Sequence, residues 1–219
     1  MEPEILLVDK PAGMSSFGVV ARVRRVLSEK AGKKVKVGHT GTLDPFATGL
    51  LILLTGKGTK RSNDFLKLDK WYEATVRLGA TSTTGDIEGE IIESKVDITP
   101  KFDEVQKVVE SFLGEIEQRV PIYSAVKING ERAYKLARKG AEVEMPVRKV
   151  SIYALDILDY KWPELKIRCH VSSGTYVRTL GEDIGKALSV GGYLTALRRI
   201  QVGKYKVDNA KTLEDLGVR

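Results

Sequence analysis

Apolar and polar residues follow one another along this chain in patterns that predict its elements in turn. Ile5, Leu6, Leu7 and Val8 form a short apolar run closing on Asp9-Lys10-Pro11, which predicts a buried strand. Ser15 or Ser16 then offers an N-cap to a helix with Val19, Val20, Val23, Val26 and Leu27 on one face. Residues 50–54, between Gly49 and Gly56, read as buried core and fall far short of the roughly 20 apolar residues that cross a bilayer. Tyr72, Ala74, Val76 and Leu78 alternate with Glu73, Thr75 and Arg77, the period of a half-buried strand. A turn at Thr84-Gly85-Asp86 leads to a second strand near Ile91, so residues 71–93 predict a hairpin. Thr99-Pro100 starts a helix with Phe102, Val105, Val108, Val109 and Phe112 inward and Gly114 just past its end. Leu165, Ile167, Cys169 and Val171 alternate as a further strand, followed by a helix along Val177, Leu180, Ile184 and Leu188. The chain closes on an alternating stretch around Ile200, Val202 and Tyr205. Strands and helices intermingle without a regular β-α-β beat, which predicts an α+β fold around a mixed, largely antiparallel central sheet flanked by helices. With no repeat and no linker composition, residues 1–219 are expected to form a single domain.

Composition narrows the class. The hydrophobic share is 42% and the charged share 30%, ordinary for a globular protein. The N-terminus lacks the basic-then-apolar order of a signal peptide, and Cys169 is the only cysteine. No internal disulfide and no cysteine-rich metal site can form, and a cytoplasmic location with no membrane association is expected. The net charge of +7 favours a polyanionic partner, weakly by itself. Arg22, Arg24, Arg25, Lys30, Lys33, Lys34 and Lys36 crowd one stretch. Arg132, Lys135, Arg138 and Lys139 form a second cluster, and Arg198 and Arg199 a third. Any one of these reads as a solvated face; three together favour a phosphate-tracking surface.

Several chemistries drop out. Residues 56–60, GKGTK, lack Walker A spacing and the third glycine of a dinucleotide fingerprint. His39 and His170 stand far apart with no ligand spacing for zinc, so no metal is expected. What remains is residues 38–51, GHTGTLDPFATGLL, where Gly38 and Gly41 permit unusual backbone geometry or close ligand approach. Pro45 pushes Asp44 toward extended geometry, from which its carboxylate can reach a cleft. Taken alone, Asp44 reads as an Asx-turn residue bonding nearby backbone amides.

The string as a whole closely resembles the catalytic motif of the TruB family, the bacterial tRNA pseudouridine-55 synthases. Residues 7–16 (LVDKPAGMSS), 70–79 (KWYEATVRLG), 121–140 (PIYSAVKINGERAYKLARKG), 174–180 (GTYVRTL) and 197–199 (LRR) are similar to further family segments, in order. The resemblance implies the pseudouridine synthase fold, with an RNA-gripping insertion at about residues 120–145. It implies an isomerase that converts the T-loop uridine of tRNA to pseudouridine by N-glycosidic cleavage, base rotation and C5–C1′ rejoining. Asp44 would engage ribose C1′ or C2′, as nucleophile or base. Tyr72 would lie against the flipped uracil, Arg178 would pair with Asp44, and Tyr176 and Leu197 would line the pocket. His39 would contact RNA near the displaced base, while Lys10 and Lys60 would hold the framework or phosphates. Such chemistry calls for no cofactor and no metal, but needs a carboxylate kept charged, and a neighbouring guanidinium lowers a carboxylate pKa by about 1–3 units. The expected partner is the tRNA T-arm, and the expected state a monomer. Relatives commonly carry a C-terminal PUA domain, and the expectation here is a short form without it. Three rivals remain: a non-catalytic RNA-binding protein on the same fold, a guide-RNA-dependent relative, and a glycoside hydrolase needing a second carboxylate about 5–10 Å away.

Overall fold

The structure is a computed structural model that describes residues 5–124, 126–128, 130–138 and 143–218. The chain divides into two compact units, Met1–Glu73 with Ala196–Arg219 and Ala74–Thr195.

The first unit opens with β1 (Ile5–Lys10), as its apolar run predicts, and continues into α1 (Ser16–Ala31). Ser15 is the N-cap, its hydroxyl accepting from the Gly18 N–H, while Ser16 is already buried inside the helix. Val19, Val20, Val23 and Val26 turn inward, each worth about 1.5–3 kcal/mol of burial. Gly32 ends the helix in the left-handed conformation at φ 62°, which returns its N–H to the Glu29 carbonyl. Next come β2 (Val37–His39) and β3 (Thr48–Thr55), then α2 (Ser62–Leu66) and the start of β4 (Lys70–Leu78). The run at 50–54 lies wholly in β3, which pairs antiparallel with both β1 and β2. Leu51 and Leu53 face α1, whereas Leu50, Ile52 and Leu54 face Phe65 and Val202 on the other side. A strand buried on both faces reads as a continuous apolar run rather than an alternation.

The second unit continues β4 and adds β5 (Ala80–Ser82) and β6 (Ile91–Glu93). The hairpin predicted over 71–93 is therefore displaced. Its two strands are β5 and β6 in a small separate sheet, and β4 instead pairs within the main sheet. Gly79, at φ 85°, breaks the run between β4 and β5. Then follow α3 (Phe102–Glu110), β7 (Gly114–Arg119), β8 (Lys127–Ile128), β9 (Glu131–Arg132) and α4 (Ala133–Arg138). Val105 and Val109 are buried as predicted, but Phe102, at the first turn, is about half exposed. The long β10 (Val147–Lys161) and β11 (Glu164–Val171) pair antiparallel, followed by α5 (Val177–Ala187) and β12 (Gly192–Val202). Along β12 the chain re-enters the first unit, ending with β13 (Tyr205–Lys206).

Within the first unit the strand order is β1-β3-β12-β4, and within the second β12-β4-β11-β10-β7. The β3–β12 pair is parallel and joins Arg198 to Thr48 and Arg199 to Gly49, while β1, β2 and β13 pair antiparallel. This is the mixed, largely antiparallel α+β arrangement that the interspersed pattern predicts. No described helix is long and apolar enough to cross a membrane. The insertion expected at about 120–145 contains the β8–β9 hairpin and α4, while Lys139 and Gly140 lie outside the described residues.

Candidate active site

In the first unit Asp44 sits on the loop between β2 and β3, partly exposed, with its carbonyl accepting from the Ala47 N–H. Two buried cations hold that loop from opposite ends. Lys10, with 0% of its surface exposed, donates from Nζ to the carbonyls of Pro11, Met14 and Pro45 at 2.8, 2.6 and 3.1 Å. Three carbonyl acceptors match the three protons of an ammonium. The Lys10 ammonium is thus enclosed in the protein and tied to the Asp44 loop through Pro45.

Arg199, 3% exposed, donates to the carbonyls of Leu50, Thr42 and Gly41 at 2.8, 3.5 and 3.2 Å. The third basic cluster is therefore not a solvated pair. Arg198 forms a bidentate bond with Asp9 at 3.1 and 2.7 Å, and Arg199 points into the protein. Gly49 makes the approach possible: at φ 100°, a Cβ there would meet the Arg199 carbonyl oxygen at 2.3 Å. Ser16 adds a third tie, donating to the Leu43 carbonyl at 2.9 Å and accepting from its N–H at 2.8 Å.

His39, at the end of β2, is half-buried and accepts on Nδ1 from the Gly41 N–H at 3.4 Å. Tyr72 on β4 and Leu197 on β12 belong to the same unit, 8% and 7% exposed. Lys60 lies elsewhere. It is exposed on the short 3-10 helix Gly56–Arg61 and borders a depression of about 420 Å³ shared with other lysines. Of the two motif glycines, Gly41 has φ 151°, whereas a Cβ at Gly38 would meet nothing within 4 Å.

In the second unit Tyr176 caps α5 and is held through its backbone. The buried Gln118 amide donates to the Tyr176 carbonyl at 3.0 Å and accepts from its N–H at 2.8 Å. Arg178, in the first turn of α5, is 4% exposed rather than on the surface where such a residue ordinarily lies. Its guanidinium donates to the carbonyls of Thr84 and Tyr123, each at 2.8 Å, and pairs with Asp86 at 3.5 Å. Asp86 in turn accepts from the Thr84 hydroxyl at 2.6 Å and the Glu88 N–H at 3.0 Å. The Glu182 carboxyl lies one helical turn on from Arg178, over Gly85. Burial pushes its pKa up to about 7, with Arg178 pulling down and Asp183 and Asp86 pushing up. Close by in sequence to Tyr123 and Arg178, the hydroxyls of Ser124 and Thr179 are buried with no hydrogen-bond partner among the described residues.

Asp86, Gln118 and the inward role of Arg199 are residues that sequence reasoning missed. Asp86 stood within a turn signal, and nothing local marks Gln118. The Leu197-Arg198-Arg199 triplet was visible, but not which arginine turns in.

Comparison with known proteins gives this constellation a class. A family model described as "TruB family pseudouridylate synthase (N terminal domain)" matches residues 24–177. A second, "tRNA pseudouridylate synthase B C-terminal domain", matches residues 178–218. The chain belongs to the TruB family of pseudouridylate synthases. It is 49% identical over 217 residues to tRNA pseudouridine synthase B of Ralstonia pickettii (strain 12J), covering 97% of this chain and 66% of the relative. It is 44% identical to the protein of that name from Phocaeicola vulgatus, covering 97% of this chain and 91% of the relative. Among solved structures, a chain in the crystal structure of a Cbf5-Nop10-Gar1 complex superposes with TM-score 0.74 at 30% identity, covering 96% of this chain and 52% of that one. A chain from an H/ACA RNP bound to a substrate RNA containing 2′-deoxyuridine gives 0.71 at 27%, covering 96% and 51%.

Proposed function

We propose that this chain is a tRNA pseudouridine synthase that isomerises the T-loop uridine at position 55, with Asp44 as its catalytic carboxylate. The N1–C1′ bond of the uridine breaks, the uracil turns, and a C5–C1′ bond forms. The C5 proton leaves and N1 regains one, so atoms and electrons balance without an oxidant. The observation that carries the reading is the pair of buried cations, Lys10 and Arg199, gripping the carbonyls on either side of Asp44. A carboxylate that engages one ribose carbon needs a loop held to a fraction of an ångström.

The other roles rest on the family resemblance. Tyr72 offers an aromatic face to the uracil, worth about 1–3 kcal/mol per base and offsetting the few kcal/mol of unstacking. Tyr176 and Leu197 complete the pocket, and His39 contacts RNA beside the displaced base. Arg178 supplies the guanidinium that keeps Asp44 ionised, and Lys60 reaches a phosphate. The substrate is the tRNA T-arm, and the enzyme acts as a cytoplasmic monomer without cofactor.

The test is a T-stem-loop transcript with tritium at uridine C5. Wild type releases tritium to water and Asp44→Asn does not. Equal release from the two proteins would take the role away from Asp44, and no release from wild type would remove the activity.

A further inference from the structure

Four exposed lysines besides Lys60 share the depression in the first unit, and the modification chemistry uses none of them. Lys33, Lys34 and Lys36 come from the segment joining α1 to β2, and Lys57 and Lys60 from the 3-10 helix Gly56–Arg61. Among the described residues no carboxylate lines the depression, so five positive charges face one concave surface of about 420 Å³. Like charges gathered in a concavity focus a positive potential outward and favour a polyanion there over isolated ions.

The backbone beneath is firm. The Gly56 N–H donates to the Lys36 carbonyl at 2.8 Å, the Thr59 hydroxyl returns to the Gly56 carbonyl at 2.9 Å, and the Val35 N–H is held by the Ser28 hydroxyl at 3.0 Å. These bonds tie the two lysine-bearing segments to each other and to α1, so the five Cα positions are set before a ligand arrives. The depression also leads somewhere. Lys36 directly precedes β2, whose last residue is His39, the start of the loop that carries Asp44. At about 3.3 Å per residue, the Lys36 and His39 Cα atoms stand roughly 10 Å apart along the strand.

We infer that this lysine groove is a docking surface for the phosphate backbone of the substrate RNA, gripping the strand that runs away from the modified uridine. The inference rests on the proposed function and extends it: chemistry belongs to the Asp44 loop, while a separate surface upstream of β2 adds sequence-independent affinity. Lysines suit that task, since ammonium groups act as point charges on phosphates without imposing the paired geometry of a guanidinium.

The test is Lys33→Gln/Lys34→Gln/Lys57→Gln, which leaves Lys36 and Lys60 in place. The control is Lys101→Gln/Lys107→Gln/Lys161→Gln, which removes three exposed positive charges from other elements. Binding of a tRNA transcript is measured from 50 to 200 mM salt. Three lost phosphate contacts reduce the slope of log affinity against log salt by about 2–3, so wild type loses about 20–40-fold more affinity over that range than the groove variant. The control keeps the wild-type slope. Equal slopes for wild type and groove variant would overturn the inference, as would an equal reduction in the control, which would make net charge the cause. Loss of binding to anionic vesicles with RNA affinity unchanged would assign the groove to another polyanion and also overturn it. Tritium release by wild type reports on the proposed function separately: a wild type that modifies RNA beside a groove variant with unaltered binding sinks only the groove.

Discussion

The Arg178 guanidinium and the Asp86 carboxylate meet at 3.5 Å with only 5% and 3% of their side chains exposed, joining α5 to the turn between β5 and β6. An ion pair so enclosed is worth little against an apolar substitute, yet removing one partner strands the other charge. Asp86→Asn keeps an acceptor for the Thr84 hydroxyl but removes the negative charge that faces the guanidinium. We expect a loss of about 3 kcal/mol, toward the lower end for a broken buried pair. Urea denaturation measures it, and the double variant with Arg178→Gln should fall short of the summed single losses. An Asp86→Asn midpoint equal to wild type would show that the pair bears no weight.

Lys10→Met replaces a buried ammonium by a side chain of similar length and removes the donor shared by the carbonyls of Pro11, Met14 and Pro45, of which Pro45 keeps the Gly13 N–H at 2.9 Å. At about 1–3 kcal/mol for an unsatisfied buried group, the variant should lose about 1–3 kcal/mol. Tritium release at a temperature where it stays folded should also fall, because Pro45 adjoins Asp44. Full activity with reduced stability would confine Lys10 to packing.

Two motif glycines should answer alanine in opposite ways. Gly49→Ala forces a Cβ to within 2.3 Å of the Arg199 carbonyl oxygen at a φ of 100°, and nothing flexible can yield. It should prevent folding or cost more than about 3 kcal/mol. Gly38→Ala meets open space and should stay within about 0.5 kcal/mol of wild type. Comparable melting temperatures for the two variants would contradict the close approach of β3 and β12.

Glu182 gives the fold a pH dependence. Its carboxyl is raised to about 7 in the folded protein against 4.5 when free, so the folded state holds the proton longer. Stability through this group is highest below about pH 4.5, falls as pH rises from 4.5 to 7, and is level above. Glu182→Gln should flatten that slope. At pH 8 it should gain on the order of 1 kcal/mol, a figure discounted for the group's partial exposure. An unaltered slope in the variant would locate the titration elsewhere.

Legibility in the sequence followed the range of the interactions. The alternations in β4 and β11 and the apolar face of α1 are local patterns, and the structure reproduces them. The hairpin after β4 was misplaced because the turn at residues 84–86 is local, whereas the partners of β4 lie far along the chain, on β11 and β12. Asp44, Tyr176 and Arg178 were singled out by their motifs, and the burial of Arg178 in α5 was not. Asp86 looked like any turn acid, because only the folded chain brings α5 against it. Arg198 and Arg199 are adjacent and chemically identical, so composition could not tell the one bound to Asp9 from the one threaded past Gly49. Strand alternation separates them, but only once the buried side of β12 is known.

The clasp of Arg199 on the Asp44 loop also has a direction in time. Gly41 and Arg199 are 158 residues apart, and a ribosome adds about 5–20 residues per second. During synthesis the loop therefore waits some 8–30 seconds for the side chain that finally grips it. Through that interval the loop has the ties from Lys10 and Ser16 but not the one from Arg199. The full clasp on the Asp44 loop arrives late and at once, with the emergence of β12.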